Sequence, residues 1–187
     1  MLIYIKKILS DIFNEHIVKN KSNDMSFNHL VISIQNSINN KFGLFCDLRN
    51  RKEIYFSKEN EECISITNFY EQNALACIEK TAVAHNIFKM LNLDSGMLPV
   101  KIYCHDTSQT ISHALNVVEY DNTIYFIDFS IVSKNDTIQP SINTLTKKQY
   151  DDFLSGKHTI TFEANYPLKK SYTIAPYNIY LSSKSKR

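Results

Sequence analysis

Two apolar segments joined by the dipeptide Asp121-Asn122 constrain the fold of this chain more than any other feature. The segments are Ser112–Tyr120 and Thr123–Ile131, and both are rich in the β-branched and aromatic residues typical of strands. Asp and Asn tolerate left-handed backbone geometry and favour tight hairpins. The sequence therefore predicts an antiparallel hairpin that turns on these two residues.

This hairpin brings a histidine and an aspartate onto one face of the predicted sheet. With a two-residue turn, Leu115 lies opposite Asp128, and His113 lies opposite Ser130. Since side chains alternate along a strand, His113 and Leu115 point to the same face, so Asp128 is the diagonal neighbour of His113. Diagonal neighbours are about 7–8 Å apart at the backbone, a gap that an imidazole and a carboxylate can span. A loop of odd length without a bulge would place the two on opposite faces.

Asp128 interrupts an otherwise apolar strand. Asp is disfavoured in strands and is costly to bury unless another group pairs with it. His113 opens its own strand after a polar loop, which places it at the rim of the sheet, and we expect it to be the partner. A carboxylate bonded to one imidazole nitrogen fixes the tautomer and leaves the other nitrogen to take a proton from a nucleophile. Without that partner, His113 is an ordinary half-exposed edge histidine.

The candidate nucleophile is Cys77, in the first half of an alanine-rich segment that predicts a helix over residues 69–91. A thiol near a helix N-terminus is close to the positive end of the helix dipole. Together with an imidazolium, that dipole lowers a cysteine pKa into the range of roughly 3.5–7.5. A free cysteine on an apolar helix otherwise simply packs. We therefore predict a catalytic triad of Cys77, His113 and Asp128, with Cys104 as the alternative nucleophile.

The remaining elements predict helices before an antiparallel sheet, which is an α+β domain over residues 1–187. Residues 1–20 predict an amphipathic helix, residues 25–41 a second helix, and residues 182–187 a flexible tail. Further strands are predicted at Leu44–Leu48 and Glu53–Phe56 and near Cys63–Ile66, Val100–His105, His158–Glu163 and Ser171–Leu181, with a helix near Leu145–Leu154.

Charge and cysteine spacing argue against several classes of function. The net charge is +2 with the basic residues scattered, so we expect no nucleic-acid partner. The four cysteines form no C-x-x-C pair and match no zinc pattern, and no glycine-rich phosphate loop occurs, so neither a metal nor a cofactor is expected. We interpret them as free thiols in a reducing compartment such as the cytoplasm. Neither a secretory signal peptide nor a transmembrane helix is expected, and the oligomeric state stays open.

A cysteine on a helix, then His-Ala-x-Asn-x-Val opening a strand, then an aspartate in the next strand of a hairpin resembles the core of transglutaminase-like proteins, within the papain-like cysteine hydrolase superfamily. Cys77, His113 and Asp128 match that pattern over roughly residues 70–130. Their spacing is similar to that of compact bacterial members and of arylamine N-acetyltransferases. Two positions depart from the pattern, because family members often have Gly where this chain has Ala76 and Trp where it has Leu115.

The resemblance implies a papain- or transglutaminase-like α+β fold with N-terminal helices packed on an antiparallel β-sheet and the nucleophile on a central helix. It also implies acyl transfer from an amide or ester of a protein or peptide to the thiol. Water then completes a protease or deamidase reaction, and an amine completes a transglutaminase reaction. The Cys77 backbone N–H is the implied oxyanion donor, and a side-chain donor from Gln72 or Asn73 stays open.

The composition, rich in Asn, Ile, Lys and Ser, is typical of an AT-rich coding sequence. A short chain of this kind looks like a bacterial effector or toxin that acts in a host cytosol on a glutamine or a peptide bond. Two alternatives remain. One is a catalytically inactive protein-binding module of the same fold, which the two departures favour. The other is an acyl-CoA-dependent N-acyltransferase.

Overall fold

The computed structural model of this chain describes residues 26–42, 48–59, 74–104, 109–133, 140–166 and 171–177, together with residues 10, 68, 69 and 72. The helices in these residues are α1 (Phe27–Phe42), α2 (Leu48–Ser57), α3 (Cys77–Met90) and α4 (Lys147–Leu154). The strands are β1 (Asp94–Cys104), β2 (Gln109–Tyr120), β3 (Thr123–Ser133), β4 (Pro140–Leu145), β5 (Ile160–Tyr166) and β6 (Ser171–Pro176).

The six described strands form one antiparallel sheet in the order β2-β1-β6-β5-β3-β4. Strand β2 also pairs with β3, and a short ladder joins the end of β3 to β5. These pairings therefore join β1, β2, β3, β5 and β6 into a closed ring of strands. Three helices precede an antiparallel sheet, which confirms the predicted α+β class.

Strands β2 and β3 form the hairpin that the sequence predicts. Asp121 and Asn122 have φ angles of 48° and 57°, and a type I′ turn requires positive φ at both central residues. Tyr120 pairs with Thr123, and the same register continues along the two strands to Asn116 opposite Ile127. The predicted register is confirmed over this ladder.

Helix α3 packs on the sheet, and its first residue is Cys77, the candidate nucleophile. Its alanine-rich face includes Ala84, which is fully buried and lets the helix approach the strands closely. The apolar cluster between helices and sheet contains Val31, Ile34 and Ile38 from α1, Val83, Ile87 and Phe88 from α3, and Val118, Ile127 and Phe129 from the strands. A second cluster combines Val100, Ile102, Leu115, Phe126, Tyr172 and Ile174 from the strands with Phe153 from α4. The first cluster fixes α3 against the β2–β3 hairpin, and the second packs α4 against the strands.

The predicted strand at Glu53–Phe56 is wrong, because these residues belong to helix α2. Tyr55 is 48% and Phe56 is 74% exposed. A helix places Arg51 and Ile54, three residues apart, on one side. Ile54 enters the core there, and Arg51 pairs with Glu79 of α3. Tertiary contacts of two residues therefore override the local strand propensity.

Other boundaries also differ from the predictions. Strand β2 begins at Gln109, three residues before the predicted Ser112, so His113 is its fifth residue and does not open the strand. The helix expected over residues 69–91 begins at Cys77, because Ala76 is extended, with φ −97° and ψ −168°. Strand β1 begins at Asp94, six residues before the predicted Val100. Strand β4 was not predicted, since Pro140 indicates a break in the sequence. Proline is tolerated at the first residue of a strand, and Pro140 is the first residue of β4.

Several predicted segments lie outside the described residues. They are the strand at Leu44–Leu48 apart from Leu48, which begins helix α2 instead, the strand near Cys63–Ile66, the tail at 182–187, and the amphipathic helix of residues 1–20 apart from Ser10, which is helical. None of the helices that the structure describes is long and apolar enough to cross a lipid bilayer.

Candidate active site

Cys77 is the first residue of helix α3, nearer to the N-terminus than the sequence predicts. Its side chain is half-buried. The backbone N–H groups of a first helical turn have no carbonyl partner within the helix, and the helix dipole places partial positive charge at this end. The thiol of Cys77 therefore lies where a negative charge is stabilised.

The helix begins at Cys77 because the side chain of Glu79, two residues further on, caps it. Glu79 accepts a hydrogen bond from the backbone N–H of Ala76, with an N–O distance of 2.8 Å. A carboxylate at this position satisfies one of the N–H groups that helix geometry leaves without a partner. The cap stops the helix from extending backwards and so keeps Cys77 at its end.

His113 and Asp128 are joined as the hairpin register predicts. The distance between His113 Nε2 and Asp128 Oδ2 is 2.6 Å. The imidazole is 6% exposed and the carboxylate is fully buried. Since Nε2 is engaged with Asp128, Nδ1 is the nitrogen available to the Cys77 thiol, which is also hydrogen-bonded to His113.

The buried carboxylate of Asp128 has further donors. The backbone N–H of Ser130 donates to Oδ1 at 2.9 Å, and the hydroxyl of Tyr172 donates to Oδ2 at 3.2 Å. Burying a carboxylate costs several kcal/mol unless its oxygens are hydrogen-bonded. With His113 included, three donors offset that cost and hold the carboxylate in one orientation.

The pKa values of Cys77 and His113 move in opposite directions. Burial and the charge of Asp128 raise the pKa of Cys77. The hydrogen bond and charge of His113, together with a hydrogen bond from the Ala114 backbone, lower it by more, so the pKa of Cys77 lies below the usual value. Burial also lowers the pKa of His113, yet the charge and hydrogen bond of Asp128, with a smaller effect of Cys77, raise it to about 10. Both shifts favour a thiolate–imidazolium pair at neutral pH.

Two hydrogen bonds lock helix α3 to strand β2 beside this pair. The Thr81 hydroxyl donates to the carbonyl of Ala114 at 3.1 Å, and the Asn116 side-chain amide donates to the carbonyl of Thr81 at 3.1 Å. Thr81 lies one helical turn after Cys77, and Ala114 directly follows His113. The two bonds therefore fix the strand that carries the imidazole against the helix that carries the thiol.

No family model matches the chain, and no curated protein matches it. The chain is similar to one in a solved structure described as "Crystal structure of a TGase", with 17% sequence identity, a TM-score of 0.45 and coverage of 73% of this chain. It spans 34% of the length of that solved chain.

The sequence did not indicate the contribution of Tyr172. It lies 44 residues after Asp128 in the chain, and in strand β6 it alternates with polar residues like any core-facing aromatic. Its hydroxyl is also hydrogen-bonded to the side chain of Ser141 in β4. Only the strand order brings these two residues to Asp128. The sequence does indicate a role for Asn116, since an amide in an apolar strand requires a hydrogen-bond partner when it is buried.

Two of the other candidates from the sequence, Cys104 and Gln72, are among the described residues. Cys104, the alternative nucleophile, is 7% exposed and packs in the second apolar cluster. Gln72 is exposed, and its backbone carbonyl accepts a hydrogen bond from Asn50; Asn73 lies outside the described residues. Within the part of the chain that the structure describes, no three His, Cys, Asp or Glu side chains converge as metal ligands.

Proposed function

We propose that this chain is a cysteine-nucleophile acyl-transfer enzyme that acts on an amide of a protein or peptide. Cys77 is the nucleophile, His113 the general acid and base, and Asp128 the carboxylate that orients the imidazole. The observation that carries the proposal is the fully buried Asp128 carboxylate 2.6 Å from His113 Nε2. An apolar residue at this position of β3 would pack without the cost of burying a charge, so fold stability alone does not explain the aspartate.

The first half-reaction forms a thioester. In the resting site the thiol proton resides on His113, and the thiolate of Cys77 attacks the carbonyl carbon of the amide. The carbonyl π electrons move to oxygen, and the Cys77 N–H in the first turn of α3 is the donor closest to that oxyanion. When the carbon–nitrogen bond breaks, His113 gives its proton to the leaving amine. Asp128 stabilises the imidazolium until that transfer.

The second half-reaction releases the acyl group. His113 takes a proton from the acceptor, which is water or an amine. The oxygen of the water or the nitrogen of the amine attacks the thioester carbon, and the Cys77 thiolate leaves. Water makes the enzyme a protease or a glutamine deamidase, and an amine makes it a transglutaminase. The sequence resemblance also supports a bacterial effector or toxin whose substrate is a host protein in a reducing cytosol.

The proposal is tested by labelling with iodoacetamide across a range of pH, followed by peptide mass spectrometry. Cys77 is expected to be alkylated before the other three cysteines and at a pH below the ordinary thiol pKa of about 8.5. His113→Ala is expected to abolish that preference, because the thiolate loses its positive partner. If all four cysteines react alike in the wild-type chain, the protein is a binding module without this chemistry.

A further inference from the structure

Helix α2 contributes little to the apolar core and much to the segment that leads into Cys77. Ile54 is its buried residue, whereas Leu48 is 69% and Phe56 is 74% exposed. Its polar residues Asn50 and Arg51, here called the α2 bracket, contact the backbone before α3. The Asn50 side-chain amide donates to the carbonyl of Gln72 at 2.8 Å. The helix therefore holds this lead-in segment more than it fills the core.

The guanidinium of Arg51 makes most of these contacts. It pairs with both carboxylate oxygens of Glu79, at 2.8 Å from Nη2 to Oε1 and 3.0 Å from Nη1 to Oε2. Nη1 also donates to the carbonyl of Ala74 at 2.9 Å. The guanidinium carbon lies 4.7 Å from the centre of the Phe69 ring. The side chains of Arg51 and Glu79 are only 14% and 12% exposed, so solvent competes little for these bonds.

The ion pair holds the two peptide groups on either side of Leu75, just before Cys77. Arg51 holds the carbonyl of Ala74, and its partner Glu79 holds the N–H of Ala76. Between them Leu75 is 1% exposed, so its side chain is anchored in the core. The plane of a peptide group is rigid. These bonds fix the two peptide groups that flank Leu75. The Ala76 carbonyl, which shares a peptide plane with the Cys77 N–H, accepts a bond from the Lys80 N–H at 3.2 Å, so the direction of the Cys77 N–H is fixed as well.

We propose that Arg51 is a positioning residue of the candidate active site, which with Glu79 aims the Cys77 N–H at the oxyanion formed when the sulfur attacks a carbonyl carbon. This inference rests on the proposed function. It assigns Arg51 to stabilisation of the oxyanion and leaves ionisation of the thiol to His113. A planar guanidinium makes two parallel bonds to a carboxylate, and the ammonium of lysine cannot reproduce that geometry.

Two reactions of the same thiol separate these roles. Alkylation by iodoacetamide displaces iodide and forms no oxyanion, whereas acylation by p-nitrophenyl acetate passes through a tetrahedral oxyanion and releases p-nitrophenolate. Both rate constants are measured at Cys77 by peptide mass spectrometry in the wild-type chain and in Arg51→Lys. We expect the acylation rate constant to fall about tenfold or more, while the alkylation rate constant stays near the wild-type value.

The matched control is Arg49→Lys in the same helix, since Arg49 pairs with Glu53 on the solvent side and is 88% exposed. It is expected to leave both rate constants unchanged. If Arg51→Lys does not fold, Asn50→Ala weakens the same bracket, and a smaller loss confined to acylation is expected. Equal losses in both reactions, or no loss in either, overturn the role of Arg51. If wild-type Cys77 reacts with neither reagent faster than Cys104, the proposed function itself fails and the inference fails with it.

Discussion

Nε2 of His113 and Oδ2 of Asp128 lie 2.6 Å apart, just beyond the point at which strands β2 and β3 stop pairing directly. Their ladder ends at Asn116 and Ile127. From there the side-chain bond connects the two strands, and Cys77 approaches it from the end of α3. The ion pair therefore contributes both to the packing of the hairpin and to the state of the thiol, and substitutions at either residue should affect both.

Asp128→Asn replaces the carboxylate with an amide of nearly the same shape. The buried His113 would then be neutral near pH 7, because burial lowers its pKa and the charge and hydrogen bond of Asp128 make the largest contributions that raise it. Without an imidazolium beside it, Cys77 should ionise at higher pH, so the midpoint of its iodoacetamide alkylation rises. Turnover of an acyl substrate should fall by about 10⁴-fold, the size of effect seen for an orienting carboxylate.

The control for this change is Asp121→Asn in the turn of the same hairpin, where Asn tolerates positive φ as Asp does. It should leave the alkylation midpoint of Cys77 at the wild-type value. If Asp128→Asn also leaves the alkylation midpoint of Cys77 unchanged, the thiolate–imidazolium interpretation is wrong.

The hairpin illustrates what the sequence can predict about this fold. A two-residue turn of Asp121 and Asn122 fixes the register, and the period of two along strands then places His113 and Asp128 on one face. These are short-range rules, and the structure follows them to Asn116 opposite Ile127. The pairing of one aspartate with one histidine follows from the cost of burying a charge.

The partners that sequence reasoning missed depend on long-range topology. Tyr172 reaches Asp128 because β6 lies between β1 and β5 in the sheet, and no local pattern encodes that order. Arg51 was missed for a related reason, since it lies between two predicted strands and its partner Glu79 is 28 residues away. Where a contact with a distant residue decides the local structure, propensity alone gives the wrong element.

Tyr172→Phe is expected to destabilise the protein by about 1.5–3 kcal/mol, the usual contribution of a hydrogen bond to a charged group. The ring remains packed, since it stacks on Phe162 with centroids 5.1 Å apart, so no cavity is created. The loss is measured by urea denaturation. Tyr125→Phe, whose ring contacts Phe27 in the other cluster, serves as the comparison and should cost less. Equal costs for the two variants would mean that the bond to Asp128 adds nothing.

Thr81→Val tests the lock between α3 and β2. Valine keeps the shape of the side chain but leaves the buried carbonyl of Ala114 without its hydroxyl donor, which should cost about 1–3 kcal/mol. Because that bond holds the helix of Cys77 against the strand of His113, alkylation of Cys77 should also slow. Thr144→Val on an exposed position of β4 should change neither quantity. If Thr81→Val lowers stability while the alkylation rate stays constant, the lock is structural only.

The ion pair between His113 and Asp128 also makes stability depend on pH, and Cys77→Ala isolates this effect by removing the coupled thiol. The folded-state pKa of His113 is raised, chiefly by Asp128 against the effect of burial. The stabilisation is therefore fully present below the ordinary histidine pKa of about 6.5 and is lost as pH rises through the folded value. In that interval only the folded chain holds the proton, so the free energy of unfolding should fall by about 1.4 kcal/mol per pH unit.

Urea denaturation of Cys77→Ala between about pH 6 and about pH 9 measures this slope. The matched variant Cys77→Ala/Asp128→Asn lacks the carboxylate, so its His113 is no longer held protonated and this part of the slope should vanish. All other titrating groups are common to the two proteins, and their contributions cancel in the difference between the two curves. Parallel curves would mean that Asp128 alone does not hold His113 protonated near pH 7 in the folded chain.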